Sequence, residues 1–167
     1  NTMAIKLKKV RDTIKVRGFF RINITEDRNG KEIVVGDSGW KANQIVNLGF
    51  DQFLCQGLGG MAGSKTISHI ALGTGGAPAA TDTGLAGEIM SSTQRKTVNA
   101  ATVASKTLQL TAQFASSASF LTAAANLSNV GLFNTSSGGT IFAGNTYTSS
   151  AAATNQNVNV TYQIRFS

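Results

Sequence analysis

Few residues in this chain could do chemistry, and the first to consider is its single histidine. His69 lies in the run ISHIAL, where it alternates with Ile70 and Leu72. One histidine excludes metal sites built from several histidines, and a Ser-His-Asp hydrolase would depend on His69 alone. The alternation is typical of a strand, so we interpret His69 as a residue on the face of a sheet. A hydrolase-like enzyme is one class of function for this chain, and it requires His69 to be catalytic.

A glycine-rich stretch around Lys65 and Thr66, LGGMAGSKTISHIALGTGG, raises the question of nucleotide binding. A phosphate-binding loop has the spelling G-x-x-x-x-G-K-[ST] and lies between a strand and a helix. Here Ser64 separates Gly63 from Lys65, and the residue five positions before Gly63 is Leu58. The segment also leaves a helical pattern and enters a strand, so no helix N-terminus would gather its amides around an anion. We therefore predict a helix-to-strand connection.

The other reactive side chains favour structural roles. Cys55 is the only cysteine, which excludes an intramolecular disulfide, and we expect a partly buried structural thiol. A group of carboxylates near one turn has basic neighbours, so we expect solvated or paired acids and no glycosidase pair. This group is Glu26, Asp27, Glu32 and Asp37. The sequence predicts no catalytic residue, no metal site and no cofactor.

Composition constrains the elements that carry these residues. The chain has 167 residues, enough for one domain, of which 41% are hydrophobic and 14% charged. The surface must therefore consist mainly of Ser, Thr, Asn, Gln, Ala and Gly, which favours an all-β protein because surface helices usually carry Glu and Lys. The sequence shows neither a signal-peptide pattern nor a long apolar run, so we expect synthesis in a cytoplasm and no membrane partner.

Basic residues are concentrated near the N-terminus. The chain carries 15 Lys and Arg against eight acids, a net charge of +7. We predict a basic arm over residues 1–12 and a single β-sandwich domain over residues 13–167, and we expect the arm to bind an acidic surface. The candidate partner-binding residues are Lys6, Lys8, Lys9, Arg11, Lys15, Arg17 and Arg21.

The remaining patterns predict strands, turns and one helix. In TIKVRGFFRINI apolar and basic residues alternate, which indicates a strand with one buried face, and Asn29-Gly30 predicts a tight hairpin after it. Apolar spacing predicts a helix over residues 44–58 with Asn43 as its N-cap. Strand-like runs follow Thr66, and SSAAATNQ is expected to be a surface loop. Together these patterns predict an antiparallel β-sandwich or jelly roll.

Two phenylalanines lie among the N-terminal basic residues, a combination found on platforms for single-stranded nucleic acid. Phe20 shares the parity of the apolar residues, which leaves Phe19 as the ring on the basic face. One ring makes a poor stacking track. We therefore favour a strand that docks onto protein, with no specific nucleic acid as partner.

Two groups of motif residues follow one another between Ile67 and Phe166. A G-x-G pair ends a strand-like run, a proline loop and T-x-L-x-x-E come next, and V-G-L-F-N follows later. These residues are Gly73, Gly75, Pro78, Thr83, Leu85 and Glu88, then Val130, Gly131, Leu132, Phe133 and Asn134. In this order the motifs resemble those of tailed-bacteriophage virion proteins, a group with small capsid decoration (cement) proteins and attachment domains of tail-collar fibres.

The resemblance implies a non-enzymatic structural protein of the virion. Tail-collar fibres often carry Tyr-Arg soon after the acid and continue into long shafts, whereas IMSSTQRK follows Glu88 here and the chain ends with its last strand. We therefore expect a decoration protein on the capsid surface, bound to the major capsid protein partly by strand addition of its basic segment. The resemblance implies a homotrimer. The alternative is a tail fibre or baseplate module that binds a receptor or glycan through Trp40 and Tyr147.

Overall fold

The computed structural model describes residues 13–89 and 95–167, and over these ranges the chain is mainly antiparallel strand. The longer helical segment, which we call α1, consists of a π-helical part, Gly49–Cys55, and an α-helical turn, Gln56–Leu58, and a short 3-10 helix spans Ser116–Ala118. The predicted all-β class is confirmed. The strands are β1 Val16–Arg28, β2 Lys31–Asp37, β3 Lys41–Ile45, β4 His69–Gly73, β5 Lys96–Thr97, β6 Ala100–Ala104, β7 Thr107–Phe114, β8 Ala125–Phe133, β9 Ile141–Ala152 and β10 Asn157–Phe166.

The strands form one sheet that curls on itself. Their order is β5-β4-β8-β9-β3-β1-β10-β7-β6, and β2 pairs with β1. Strand β3 joins the two halves, because residues 41–43 pair with β1 and residues 44–45 pair with β9. The outermost strands β5 and β6 are separated by Val98 and Asn99, whose N–H groups donate to a carbonyl beside β4 and to one in β7. The chain thus bridges the two ends of the sheet, while the finer jelly-roll arrangement stays a prediction.

Strand β1 is the centre of one half, and its alternation gives it a buried face. Phe20, Ile22 and Ile24 are buried and lie opposite apolar residues of β10, so that both strands contribute to the same core. Asn29 and Gly30 have φ angles of 56° and 77°, as a two-residue hairpin requires, which confirms the predicted turn. Beyond the pairing of Thr25 with Asn157, β1 pairs only with β2, so the hairpin extends past the body of the sheet.

Aromatic side chains fill the core between the two halves. The ring centroids of Phe20 and Tyr162 are 5.6 Å apart, and those of Phe53 and Phe142 are 5.3 Å apart. Burying each such side chain contributes about 1.5–3 kcal/mol to the free energy of unfolding. Phe53 comes from α1, so the helical segment closes one end of the core.

The predicted helix begins too early, and its predicted cap is wrong. Asn43 lies in β3, where its Oδ1 accepts a hydrogen bond of 2.7 Å from the hydroxyl of buried Tyr162. The residue before the π-helical part is Leu48, and no side chain caps this helix. Main-chain pairing with β1 and β9 holds residues 41–45 extended, so the tertiary contacts override a helical spacing that begins only at Val46.

The loop predicted for SSAAATNQ is shorter than expected. Residues 149–152 continue β9, and Ala152 is fully buried opposite Ala125 of β8. Small side chains permit this close pairing, which composition alone did not show. The turn between β9 and β10 is closed by the Gln156 side chain, which accepts from the Ala153 N–H at 2.9 Å.

Candidate binding surface

The basic face predicted for β1 is the outer face of the half-sheet β1, β10, β7 and β6. Strands β1 and β10 pair so that Arg17 lies opposite Arg165 and Phe19 opposite Gln163. Strand β7 continues each row with hydroxyl and amide side chains, because its apolar residues point into the core. The Gln163 amide donates to Gln109 at 2.8 Å across the strands. The result is a polar surface whose cations are concentrated at one end.

This cationic end consists of Arg17, Phe19 and Arg165, which we call the Arg17–Arg165 cluster. The guanidinium of Arg165 lies 4.7 Å from the centre of the Phe19 ring, and its Nε donates to Gln163 at 3.1 Å. Within the described residues none of the salt bridges involves Arg17 or Arg165. A depression of about 250 Å³ opens between these side chains. Like charges directly opposite in a sheet destabilise it, so stability of the fold does not explain this placement.

The other end of the outer face is neutralised. Arg21 forms a two-point ion pair with Asp37, and the Gly39 N–H donates to the same carboxylate. The hydrogen bond from Arg21 and, next, that from Gly39 lower the pKa of Asp37 to about 2. Glu32 accepts hydrogen bonds from Thr25 and from amides on neighbouring strands. Over the described part of this outer face, the cationic end is therefore the region where Arg side chains are available for an acidic partner.

The structure separates the predicted partner-binding residues into three groups. Lys6, Lys8, Lys9 and Arg11 lie outside the described residues. Lys15 and Arg17 are exposed at the cationic end, whereas Arg21 is held by Asp37. Sequence reasoning did not select Arg165. The alternation in NVNVTYQIRF places Arg165 on the polar face of its strand. Its position opposite Arg17, however, depends on the register between two strands that are far apart in sequence.

Strand addition to a partner is blocked for residues 18–20 of the basic segment. There β1 pairs with β10 on one edge and with β3 on the other, so these residues offer no free edge to a partner. Strand β2 pairs with β1 alone within the described chain, and Ile33, Val34 and Val35 are exposed on it. This edge, at the projecting hairpin, is where a partner strand could pair.

The two groups of motif residues pack against each other in the opposite half of the sheet. Strand β4 pairs with β8, which places the strand that ends at Gly73 beside the V-G-L-F-N segment. A Cβ on Gly73 would lie 2.3 Å from Oδ1 of Asn129, and one on Gly75 would lie 2.3 Å from the carbonyl oxygen of Ala86. Asn129 is fully buried and its Nδ2 donates to the carbonyls of Gly76 and Ala86. The glycines are required by close packing.

Glu88 forms a buried ion pair with Arg95. Arg95 Nε lies 2.6 Å from Glu88 Oε1 and its Nη2 lies 3.0 Å from Oε2. Its Nη1 donates to the carbonyls of Thr135 and Gly138, and the guanidinium lies 3.3 Å from the centre of the Phe133 ring. Sequence reasoning gave no role to Arg95. All three nitrogens of this guanidinium donate to protein acceptors, so the pair holds the turn after β8 in place.

Comparisons with protein-family models, with curated proteins and with solved structures found no match to this chain. The function is therefore argued from the surfaces described above. No helix in residues 13–89 and 95–167 has the length and apolar character needed to cross a membrane. Over the same ranges no three His, Cys, Asp or Glu residues lie together as metal ligands would.

His69 lies on the sheet next to a serine, and the hydrogen bonds do not resemble those of a hydrolase. Ser68 Oγ donates to the carbonyl of Asn134 at 2.8 Å and lies 2.8 Å from His69 Nδ1. The serine hydroxyl has one proton, so the Asn134 carbonyl and Nδ1 compete for it, whereas a general base receives this proton without a competing acceptor. Burial and, next, the charge of Arg95 lower the pKa of His69. The neighbouring charge is thus a cation, where a triad has a carboxylate.

Cys55 is exposed, so the expectation of a partly buried thiol is wrong. The π-helical turn directs Phe53 into the core and leaves the next but one side chain on the solvent side. An exposed single thiol on a helical segment has no neighbouring base in the hydrogen bonds of the described residues. It is useful mainly as a specific attachment point for a probe.

Proposed function

We propose that this protein is a structural component of a tailed-bacteriophage virion that decorates the capsid by binding the major capsid protein. The observation that carries the proposal is the Arg17–Arg165 cluster. Arg17 and Arg165 are held side by side on a rigid sheet, and their guanidinium groups match carboxylates in a two-point geometry. An acidic protein surface would supply the counter-charge that the fold does not.

The rest of the molecule supports a binding role for this end. The polar face around the cluster carries Thr, Gln and Asn, which can exchange hydrogen bonds with a partner and are cheaper to desolvate than charges. The projecting β1–β2 hairpin, with exposed Ile33, Val34 and Val35, provides a second contact at the opposite end. A partner that spans both ends would bind along the whole half-sheet. Self-association into a homotrimer through neutral surfaces is part of the same proposal.

The packing of the motif residues is consistent with a scaffold. The residues on which the resemblance to virion proteins rests include closely packed glycines, core side chains and Glu88, which pairs with Arg95. These residues have structural roles in the packed half of the sheet. The proposed binding function belongs to the other half of the sheet, so scaffold and binding surface are separate.

The experiment is to count copies of the protein in purified particles by quantitative mass spectrometry. Hundreds of copies per particle are expected for a capsid protein, because the shell repeats its binding sites, whereas a tail position would give a dozen or so. In particles carrying Arg17→Glu with Arg165→Glu we expect occupancy to fall about tenfold or more. The control Lys65→Glu with Lys96→Glu makes the same change in net charge away from both the cluster and the hairpin, and it should leave occupancy unchanged. Unchanged occupancy in the cluster variant, or absence from particles, would overturn the proposal.

A tail module is a second candidate, and the structure removes part of its basis. Tyr147, expected as a contact residue, is buried with its ring edge against Phe20, and burial raises its pKa above the ordinary range for tyrosine. It cannot contact a receptor in this fold. Trp40 is 45% exposed and stays available to a glycan or receptor. Low copy number together with loss of host binding in Trp40→Ala would favour the tail over the capsid.

A further inference from the structure

A chain of oriented hydrogen bonds leads from the Arg17–Arg165 cluster across the outer face of the half-sheet. Arg165 donates to the side-chain oxygen of Gln163 from its Nε and from its Nη2. This oxygen therefore faces the arginine, and the Gln163 amide nitrogen donates in the other direction, to the side-chain oxygen of Gln109 at 2.8 Å. The cation thus fixes the orientation of both amides, and the chain of hydrogen bonds ends in the Gln109 amide nitrogen.

The end of this chain of hydrogen bonds lies in a hollow of the outer face. The hollow has a volume of about 440 Å³, and it shares Thr107 and Arg165 with the smaller depression at the cluster. Its lining residues are Thr102, Ala104, Thr107, Gln109, Gln163 and Arg165. None of these is acidic, and within the described residues the Gln109 amide nitrogen donates to no side chain. The hollow therefore presents an amide donor and two hydroxyls beside a cation, which favours a ligand group that accepts hydrogen bonds.

We propose that the outer face recognises an extended acidic segment of the partner through two carboxylates, one at the Arg17–Arg165 cluster and one at Gln109. The inference rests on the proposed function, because it specifies the acidic surface that the cluster binds. Arg165 lies opposite Thr107 in the sheet and Gln163 lies opposite Gln109. Gln109 is thus one strand across and two residues along from Arg165, which corresponds to about 8 Å between their Cα atoms.

This spacing selects a pattern of acids in the partner. In an extended chain, side chains two residues apart lie on the same side, about 7 Å from each other, whereas neighbouring side chains point to opposite sides. Two acids separated by one residue can therefore reach both contacts at once, and two adjacent acids cannot. The guanidinium groups of the cluster bind the first carboxylate, and the Gln109 amide donates a charge-assisted hydrogen bond to the second.

A peptide fits this surface better than an acidic sugar, which offers the same carboxylate chemistry. A sugar ring packs its C–H groups on the open face of an aromatic ring, because that face is electron-rich. The ring of the cluster, Phe19, is covered by the Arg165 guanidinium at 4.7 Å. An extended peptide needs no such platform, and its main-chain carbonyls can accept from the hydroxyls of Thr102 and Thr107.

The test compares two short peptides, titrated into the isolated full-length protein at low salt and followed by NMR. Both have capped ends and the same composition of glycine, serine and two glutamates, but in one the glutamates are separated by a single residue and in the other they are adjacent. The spaced peptide should bind about fivefold more tightly, because only this peptide makes the second hydrogen bond to a charged group. It should also shift the side-chain amide signals of Gln109. Arg17→Glu with Arg165→Glu should abolish the binding of both peptides.

Gln109→Met removes the donor without changing the charge, so the spaced peptide should lose its advantage while the binding of the adjacent peptide stays the same. The control Gln56→Met, on α1, should preserve the advantage. Equal affinity of the two peptides, or an advantage that survives Gln109→Met, would overturn the second contact and leave the cluster in place. Tighter binding of an oligosaccharide of galacturonic acid would overturn the choice of a peptide. If neither peptide binds, the inference fails, whereas the proposed function is decided separately by the copy number in particles.

Discussion

Two arginines of this molecule lie over phenylalanine rings, and their surroundings differ in almost every other respect. Arg95 is buried over Phe133, binds Glu88 through two nitrogens and donates to two carbonyls. Arg165 is exposed over Phe19, and the residue opposite it in the sheet is another cation, Arg17. The same pair of side-chain types therefore occurs once with all three guanidinium nitrogens bonded to the fold and a carboxylate as partner, and once with no carboxylate partner among the described residues.

The comparison separates structure from binding. A guanidinium that is buried and fully paired adds little reason to expect a ligand, because removing it would disturb its own neighbours first. A guanidinium that faces a like charge on an exposed sheet gains nothing from the fold and can be retained for contacts outside it. If this distinction is right, variants of the two arginines should affect different measurements. The predictions below test it, beginning with the largest expected effect.

Arg95→Met is expected to cost about 3–5 kcal/mol of unfolding free energy, because it leaves the Glu88 carboxylate buried without its partner. Urea unfolding followed by circular dichroism measures it. The double variant Arg95→Met with Glu88→Gln should recover part of the loss, since the unpaired charge is removed as well. A loss below about 1 kcal/mol in the single variant would mean that the pair behaves like a surface ion pair, and the contrast with Arg165 would fail.

Two adjacent glycines sharpen the description of the packed half. Gly75→Ala should cost about 1–3 kcal/mol, because its Cβ would lie 2.3 Å from the carbonyl oxygen of Ala86. Gly76→Ala should change stability by less than about 0.5 kcal/mol, since a Cβ there meets nothing within 4 Å. Thermal unfolding of the two variants provides the measurement. Equal losses would show that chain flexibility, and not contact, explains the first.

The sequence was informative wherever the structure follows from local pattern. Asn29-Gly30 predicted the hairpin, and the alternation in β1 and β10 predicted which side chains are buried, because both depend on adjacent residues. Strand β3 was missed, since its extended form comes from main-chain pairing with β1 and β9. The apposition of Arg17 and Arg165 depends on strands that are more than a hundred residues apart in sequence, and no local pattern sets their register.

The pair Glu88 and Arg95 illustrates the same limit in the packed half. Glu88 was singled out by a motif, and Arg95 is only seven residues away in sequence. Their contact nevertheless depends on Phe133 and on the carbonyls of the turn after β8, which reach the site through the pairing of β4 with β8. A sequence motif can therefore identify one residue of a buried ion pair, whereas the identity of its partner follows only from the tertiary structure.

The Arg21–Asp37 pair lies on the same outer face as Arg165 but is internally satisfied, so it should show a modest pH effect. The folded pKa of Asp37 is about 2 against an ordinary value of 3.8. Because the pKa is lower in the folded state, the ionised carboxylate stabilises the fold at pH values above the pKa of the unfolded state. This contribution is lost as the pH falls from about 4 towards 2. In Asp37→Asn the thermal midpoint should depend less on pH over this window. Arg21→Gln should likewise reduce the dependence of the thermal midpoint on pH between about 4 and 2. An unchanged pH profile in both variants would contradict the pairing of Arg21 with Asp37.

Arg165→Gln is expected to have the smallest effect on stability. Removing one of two like charges that face each other should leave the unfolding free energy within about 0.5 kcal/mol of the original, with a slight gain as the expected sign. Urea unfolding at low salt gives the clearest measurement, because added salt screens exposed charges. Arg17→Gln relieves the same repulsion, so the double variant should gain less than the sum of the two single variants. A loss above 1 kcal/mol in Arg165→Gln would place this arginine with Arg95 as part of the scaffold, and the cationic end would no longer stand out as a surface kept for a partner.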